Sequence, residues 1–172
     1  MRRNTIIAFL GALLIGNLVL ALRQAMTTNA LPDPSDQRTA AERLASRKVS
    51  NSPELAKAAA AVGLRPSSHL LGMVERMARV DERAVTMSGW LADPYGSATP
   101  HDIVIFVAGE MVGTTRTHGE RPDVAEYYGL GFGAEENVGF RLTFTCRTGE
   151  QPIIAGLGPK ERYVPVVSPP CP

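Results

Sequence analysis

The chain has 172 residues, 44% of them apolar and 20% charged, with a net charge of +1. That is room for one ordinary domain, and it excludes a disordered tail, a collagen-like fibre or a nucleic-acid-coating polycation. The charge is uneven: residues 1–71 carry nine Lys/Arg against four Asp/Glu, and residues 72–172 carry nine against thirteen, so no nucleic-acid partner is expected for the acidic carboxy-terminal part.

Arg2 and Arg3 precede an uncharged run from Thr5 to Leu22, closed by Arg23. Its eighteen residues reach roughly 27 Å as a helix, enough to cross a hydrocarbon core. Arginines before the run favour translocation of everything after it. A cleaved secretory signal and a retained signal-anchor both fit this pattern. The run is long for a signal, and neither Val19-Leu20-Ala21 nor Thr28-Asn29-Ala30 makes a well-placed cleavage site. The expectation is therefore a single-pass anchor, with the rest of the chain on the extracytoplasmic side. Ala8, Ala12 and Gly16 repeat at four-residue spacing, a face on which a partner helix can approach closely, although small residues are common in membrane spans generally.

A helical stalk is expected over residues 27–71. Asp33-Pro34 and Ser52-Pro53 each place a capping side chain before a proline, predicting helices over about 34–48 and 53–62. Both are rich in alanine, bury little area and need a surface: the downstream domain, each other or a partner. Arg65-Pro66-Ser67-Ser68 reads as a linker.

From about Leu70 the pattern turns extended. Alternation predicts strands near 73–80 and 84–91, separated by an Asp81-Glu82-Arg83 turn, and Asp93-Pro94-Tyr95-Gly96 fits a type I turn. Ile103–Ala108 is apolar throughout, a strand buried on both faces; Gly109-Glu110 then makes a hairpin into Met111–Thr115. Val138–Cys146, Pro152–Ala155 and Tyr163–Val167 complete seven strands in about a hundred residues. The expected class is mainly β, a seven-stranded antiparallel immunoglobulin-like β-sandwich over 72–172, following the membrane anchor of residues 1–26 and the stalk.

Gly89-Trp90-Leu91-Ala92-Asp93-Pro94, the run Val104–Arg116, Arg121-Pro122-Asp123-Val124-Ala125 and Gly139-Phe140-Arg141-Leu142 occur in that order. The series resembles small β-sandwich modules of bacterial envelope proteins and of regions beside some bacterial glycosyltransferases, over roughly residues 72–146. The resemblance implies a non-catalytic binding or assembly unit, puts the anchor in a bacterial inner membrane with the following domain in the periplasm or extracytoplasmic space, and assigns no active-site residues.

Trp90 ends a strand beside a turn and suits either a core plug or a sugar-stacking platform. Arg121 is placed to pair with a nearby carboxylate, and Asp123 to cap a short helix. Tyr127, Tyr128 and Phe132 alternate with glycines in a loop suited to recognition, or to folding back over an open sheet edge. Cys146 and Cys171, an even pair in a translocated domain, predict a disulfide. His69, His101 and His118 are scattered; with no nucleophile elbow and no spaced acidic loop, no catalytic residues, metal or cofactor are expected.

Two functions follow as expectations. One is a non-catalytic accessory subunit, anchored in the lipid bilayer and docked on subunits of a membrane protein complex. The other is a carbohydrate-binding module serving polysaccharide synthesis or export. Trp90, Tyr127, Tyr128 and Phe132 are the candidate contact residues in both.

Overall fold

The computed structural model describes residues 39–95, 100–129 and 137–172. The apolar run at 5–22, with Ala8, Ala12 and Gly16, the Asp33-Pro34 pair and Phe132 lie outside the described residues. Among the described residues no helix is long and apolar enough to cross a membrane.

The described chain begins with two short helices, α1 (Ala40–Ala45) and α2 (Ser52–Ala61). Thr39 and Glu42 close a reciprocal capping box on α1: the Thr39 hydroxyl accepts from the Glu42 N–H at 3.2 Å, and the Glu42 carboxylate accepts from the Thr39 N–H at 2.7 Å. On α2 the cap is Asn51, whose Oδ1 accepts from the Glu54 N–H at 2.9 Å, so the helix starts one residue before the expected proline. Strands follow as β1 (Arg65–Pro66), β2 (Leu71–Arg79), β3 (Ala84–Ala92), β4 (Asp102–Val107) and β5 (Glu110–Arg116). A third helix, α3 (Pro122–Tyr128), precedes β6 (Gly139–Thr145), β7 (Ile153–Gly158) and β8 (Arg162–Val166).

The eight strands form two sheets, a five-stranded one in the order β1-β8-β7-β4-β5 and a three-stranded one in the order β2-β3-β6. The described residues are thus mainly β with few helices. The seven strands expected over 72–172 are β2–β8, each paired antiparallel with its neighbours; β1 is an eighth, which pairs in parallel with β8, Arg65 opposite Arg162. Those two residues of the expected linker pair because the Arg65 N–H reaches the Glu161 carbonyl at 2.8 Å and the Ser67 N–H reaches that of Tyr163 at 2.8 Å. The first hairpin of the larger sheet also turns earlier than expected. Ala108 and Gly109 take the positive-φ positions, at 51° and 88°, and Glu110 already pairs with Val107.

Side-chain alternation divides the central strands β4, β7 and β8 between two cores. Ile103, Ile105 and Val107 of β4 point between the sheets, with Val85, Met87, Leu91, Phe140, Phe144 and Ile154. Val104 and Phe106, from the same strand, point the other way, joining Ala155, Leu157 and Tyr163 beneath Leu44, Leu55, Ala59 and Val62 of the helical segment. This explains why 103–107 is apolar at every position: each face meets a different layer. The surface that the alanine-rich helices require is the outer face of the five-stranded sheet.

The disulfide expected from the sequence is present between Cys146 and Cys171, 25 residues apart. It ties the proline-rich tail to the end of β6. Around it the Gly149 N–H donates to the Cys171 carbonyl and the Cys171 N–H to that of Glu150, each at 2.8 Å. The Arg79 guanidinium bonds the carbonyls of Pro172 and Glu82 and the Thr148 hydroxyl, holding tail, turn and strand together.

Candidate functional site

Strand β3 sends Val85, Met87 and Leu91 into the space between the sheets, so Trp90 must point out of the opposite face of the three-stranded sheet. There α3 covers it. Trp90 packs with Ala92, Leu71, Val124 and Val138 in a small separate cluster and keeps only 6% of its surface exposed. It therefore does not plug the end of the space between the sheets; it seats a helix on the back of one.

Helix α3 starts with Pro122 at its first position and ends where Gly129 turns left-handed, at φ 61°. It has no side-chain cap, since the Asp123 carboxylate turns instead to Arg121. The helix carries Tyr127 and Tyr128 in its last turn, where the sequence suggests a loop. The Tyr128 ring lies 5.4 Å from that of Trp90, tilted at 50°, and Tyr127 meets Tyr128 edge-on at 4.9 Å. Tyr128 is 36% exposed and Tyr127 81%, so the three rings step from buried to open. Of the four expected contact residues, three are brought together here, and Phe132 lies outside the described residues.

Beside the rings stands an ion triad. Arg121 forms a two-bond pair with the Glu75 carboxylate, at 2.7 and 2.8 Å, and a second with Asp123, at 2.8 and 2.6 Å. The hydrogen bonds from Arg121 hold the Asp123 carboxyl down to about 2. The hydrogen bonds it donates to Asp123 and then to Glu75 raise the guanidinium above its ordinary value. Glu75 lies 46 residues before Arg121, on β2, and nothing local in the sequence links the two. Arg121 is thus committed to two partners within the fold, which makes it a brace between β2 and α3 rather than a free substrate clamp.

Met73, Glu75, Trp90, Arg121, Asp123, Val124, Tyr127 and Tyr128 line a shallow groove of about 360 Å³. Its charged lining is Glu75 and Asp123 against Arg121, so the groove is net negative. Among the described residues no group of three or more His, Cys, Asp or Glu side chains is placed to hold a metal ion. No protein-family model, curated protein or solved structure matches the chain.

Proposed function

We propose that the chain is a non-catalytic accessory subunit, held in a bacterial inner membrane by the apolar run at 5–22. Its β-rich body, an immunoglobulin-like sandwich, stands on the extracytoplasmic side and docks on subunits of a larger membrane complex. The observation that carries this reading is the groove beside α3. An exposed Tyr127, a half-exposed Tyr128 and the 46%-exposed Met73 present apolar area on a base made rigid by Trp90 and the Arg121 triad. With two carboxylates in its lining against one arginine, the groove is net negative and suits a partner segment with an aromatic or aliphatic anchor flanked by Lys or Arg.

The disulfide supports the compartment, because such bonds persist where the environment is oxidising. Trp90 is covered by α3 and offers no open stacking face, which weighs against a carbohydrate platform centred on it.

The test is extraction of native membranes in mild detergent, affinity isolation of the full chain and mass spectrometry of the chain and its companions. An intact amino terminus with stoichiometric membrane partners is expected. Those partners should be reduced at least tenfold by Tyr127→Ala and by Met73→Lys, both exposed in the groove, with the melting temperature unchanged. A processed chain without partners, or partners indifferent to both substitutions, would refute the proposal.

A further inference from the structure

A second cavity, of about 480 Å³, lies where the turn after β1, the segment after β3 and the β7–β8 loop meet; it is lined by Ser67, Ser68, His69, Asp93, Tyr95, Pro159, Lys160 and Arg162. It shares no residue with the groove beside α3. Three features distinguish it from an ordinary crevice.

The first is its backbone. In the three-residue loop Pro159-Lys160-Glu161, Lys160 and Glu161 both sit in the left-handed region, at φ 55° and 56°, although neither is glycine. That conformation is disfavoured for any residue with a Cβ, and persists only where the surroundings impose it. Glu161 is held from two sides, its carboxylate by Arg43 at 3.1 Å and its carbonyl by the Arg65 N–H at 2.8 Å. Lys160, fixed by the same loop, is in none of the ion pairs formed among the described residues and lines the cavity.

The second is charge. Lys160 and Arg162 outnumber Asp93, leaving one positive charge in excess in a carboxy-terminal part that is otherwise acidic. One nitrogen of Arg162 donates to the Pro66 carbonyl at 3.2 Å, which orients the guanidinium across the turn.

The third is an aromatic wall beside hydroxyl-binding groups. Tyr95 is 83% exposed and meets the His69 ring edge-on at 5.0 Å. The Ser67 Oγ accepts from the N–H groups of His69 and Leu70, at 3.2 and 3.0 Å, so its own proton is left to donate. One Asp93 oxygen accepts from the Tyr95 N–H at 3.2 Å, leaving the other for a ligand hydroxyl.

We propose that this cavity binds an anionic, hydroxyl-bearing ring, the chemistry of an acidic sugar residue. Lys160 and Arg162 take the carboxylate or phosphate, Tyr95 takes the ring face, and Asp93 with the serines takes the hydroxyls. The proposal does not depend on the docking groove.

Calorimetric titration of the full chain in mild detergent tests it, with glucuronate, glucose 6-phosphate, glucose and inorganic phosphate as probes. Both anionic sugars should bind, glucose and phosphate at least tenfold more weakly. Lys160→Gln, which keeps the loop's backbone as it is, should weaken the anionic sugars at least tenfold without moving the melting temperature. Tyr95→Ala should weaken every sugar and leave phosphate unchanged. No binding by any probe, glucose equal to glucuronate, phosphate equal to glucose 6-phosphate, or indifference to Lys160→Gln would each overturn the proposal.

Discussion

Leu91 shows how tightly single residues are specified here. It is fully buried between the sheets, and a Cβ built on Gly156 would lie 2.6 Å from one of its methyl groups, or 2.8 Å if built on Gly72. The two glycines thus form the slot that this leucine fills. Gly156→Ala should destabilise the fold by about 1–3 kcal/mol through overpacking, read as a shift in the midpoint of denaturant unfolding at unchanged slope.

His101 sets a different constraint. It is 4% exposed with its Nδ1 unbonded, and burial pushes its pKa below the usual 6.5 against the opposing pull of Asp93 and Asp102. Above that value the ring is neutral both folded and unfolded. As pH falls below 6.5 the unfolded chain takes up the proton first, so stability declines toward the lowered folded value. Asp123 acts in a separate window: held near 2 rather than 3.8, it contributes stability that is lost only as pH falls below 3.8. Unfolding followed from pH 7 to 5 should show a decline that His101→Gln flattens.

At the scale of elements, the strands were the legible part. The unbroken apolar character of 103–107 marks a strand buried on both faces, and alternation places β2 and β3 within a few residues. The same alternation, with Met87 and Leu91 inward, also puts Trp90 on the opposite face; only the helix that covers it could not be read. What escaped the sequence was held by distant partners. Two residues of β1 form a strand only because β8 lies beside them, and Tyr127-Tyr128 are helical because Val124 docks on the Trp90 cluster. The Arg121–Glu75 brace has no local signal either, and the polar cavity gathers three loops far apart in the chain.

The β7–β8 loop yields a prediction at this scale. Lys160→Gly should raise stability by about 1 kcal/mol, since glycine accepts positive φ without strain. It should also weaken binding of anionic sugars, so that thermal melting and calorimetry move in opposite senses.

At the scale of the molecule, the helical segment, the two sheets and the tail are interdependent. The five-stranded sheet separates two cores and belongs to both. The disulfide closes a 25-residue separation and should contribute about 3 kcal/mol, by restricting the unfolded chain. Equilibrium unfolding with and without reductant measures that figure. Reduction should lower the stability of the body by this amount while sparing the groove beside α3, which contains neither cysteine.

The parallel pairing of β1 with β8 has a consequence for biogenesis. Arg65 and Arg162 face one another across the sheet, 97 positions apart in the sequence. At synthesis rates of roughly 5–20 residues per second, α1, α2 and β1 emerge on the order of 5–20 s before the strand that completes their seat. Throughout that interval the sheet beneath Leu44, Leu55 and Val62 lacks Tyr163 and the strand on which β1 pairs. A nascent chain stalled before residue 162 should therefore remain protease-sensitive at its helices and retained by a holdase, and release of the last strand should make the whole body resistant in one step.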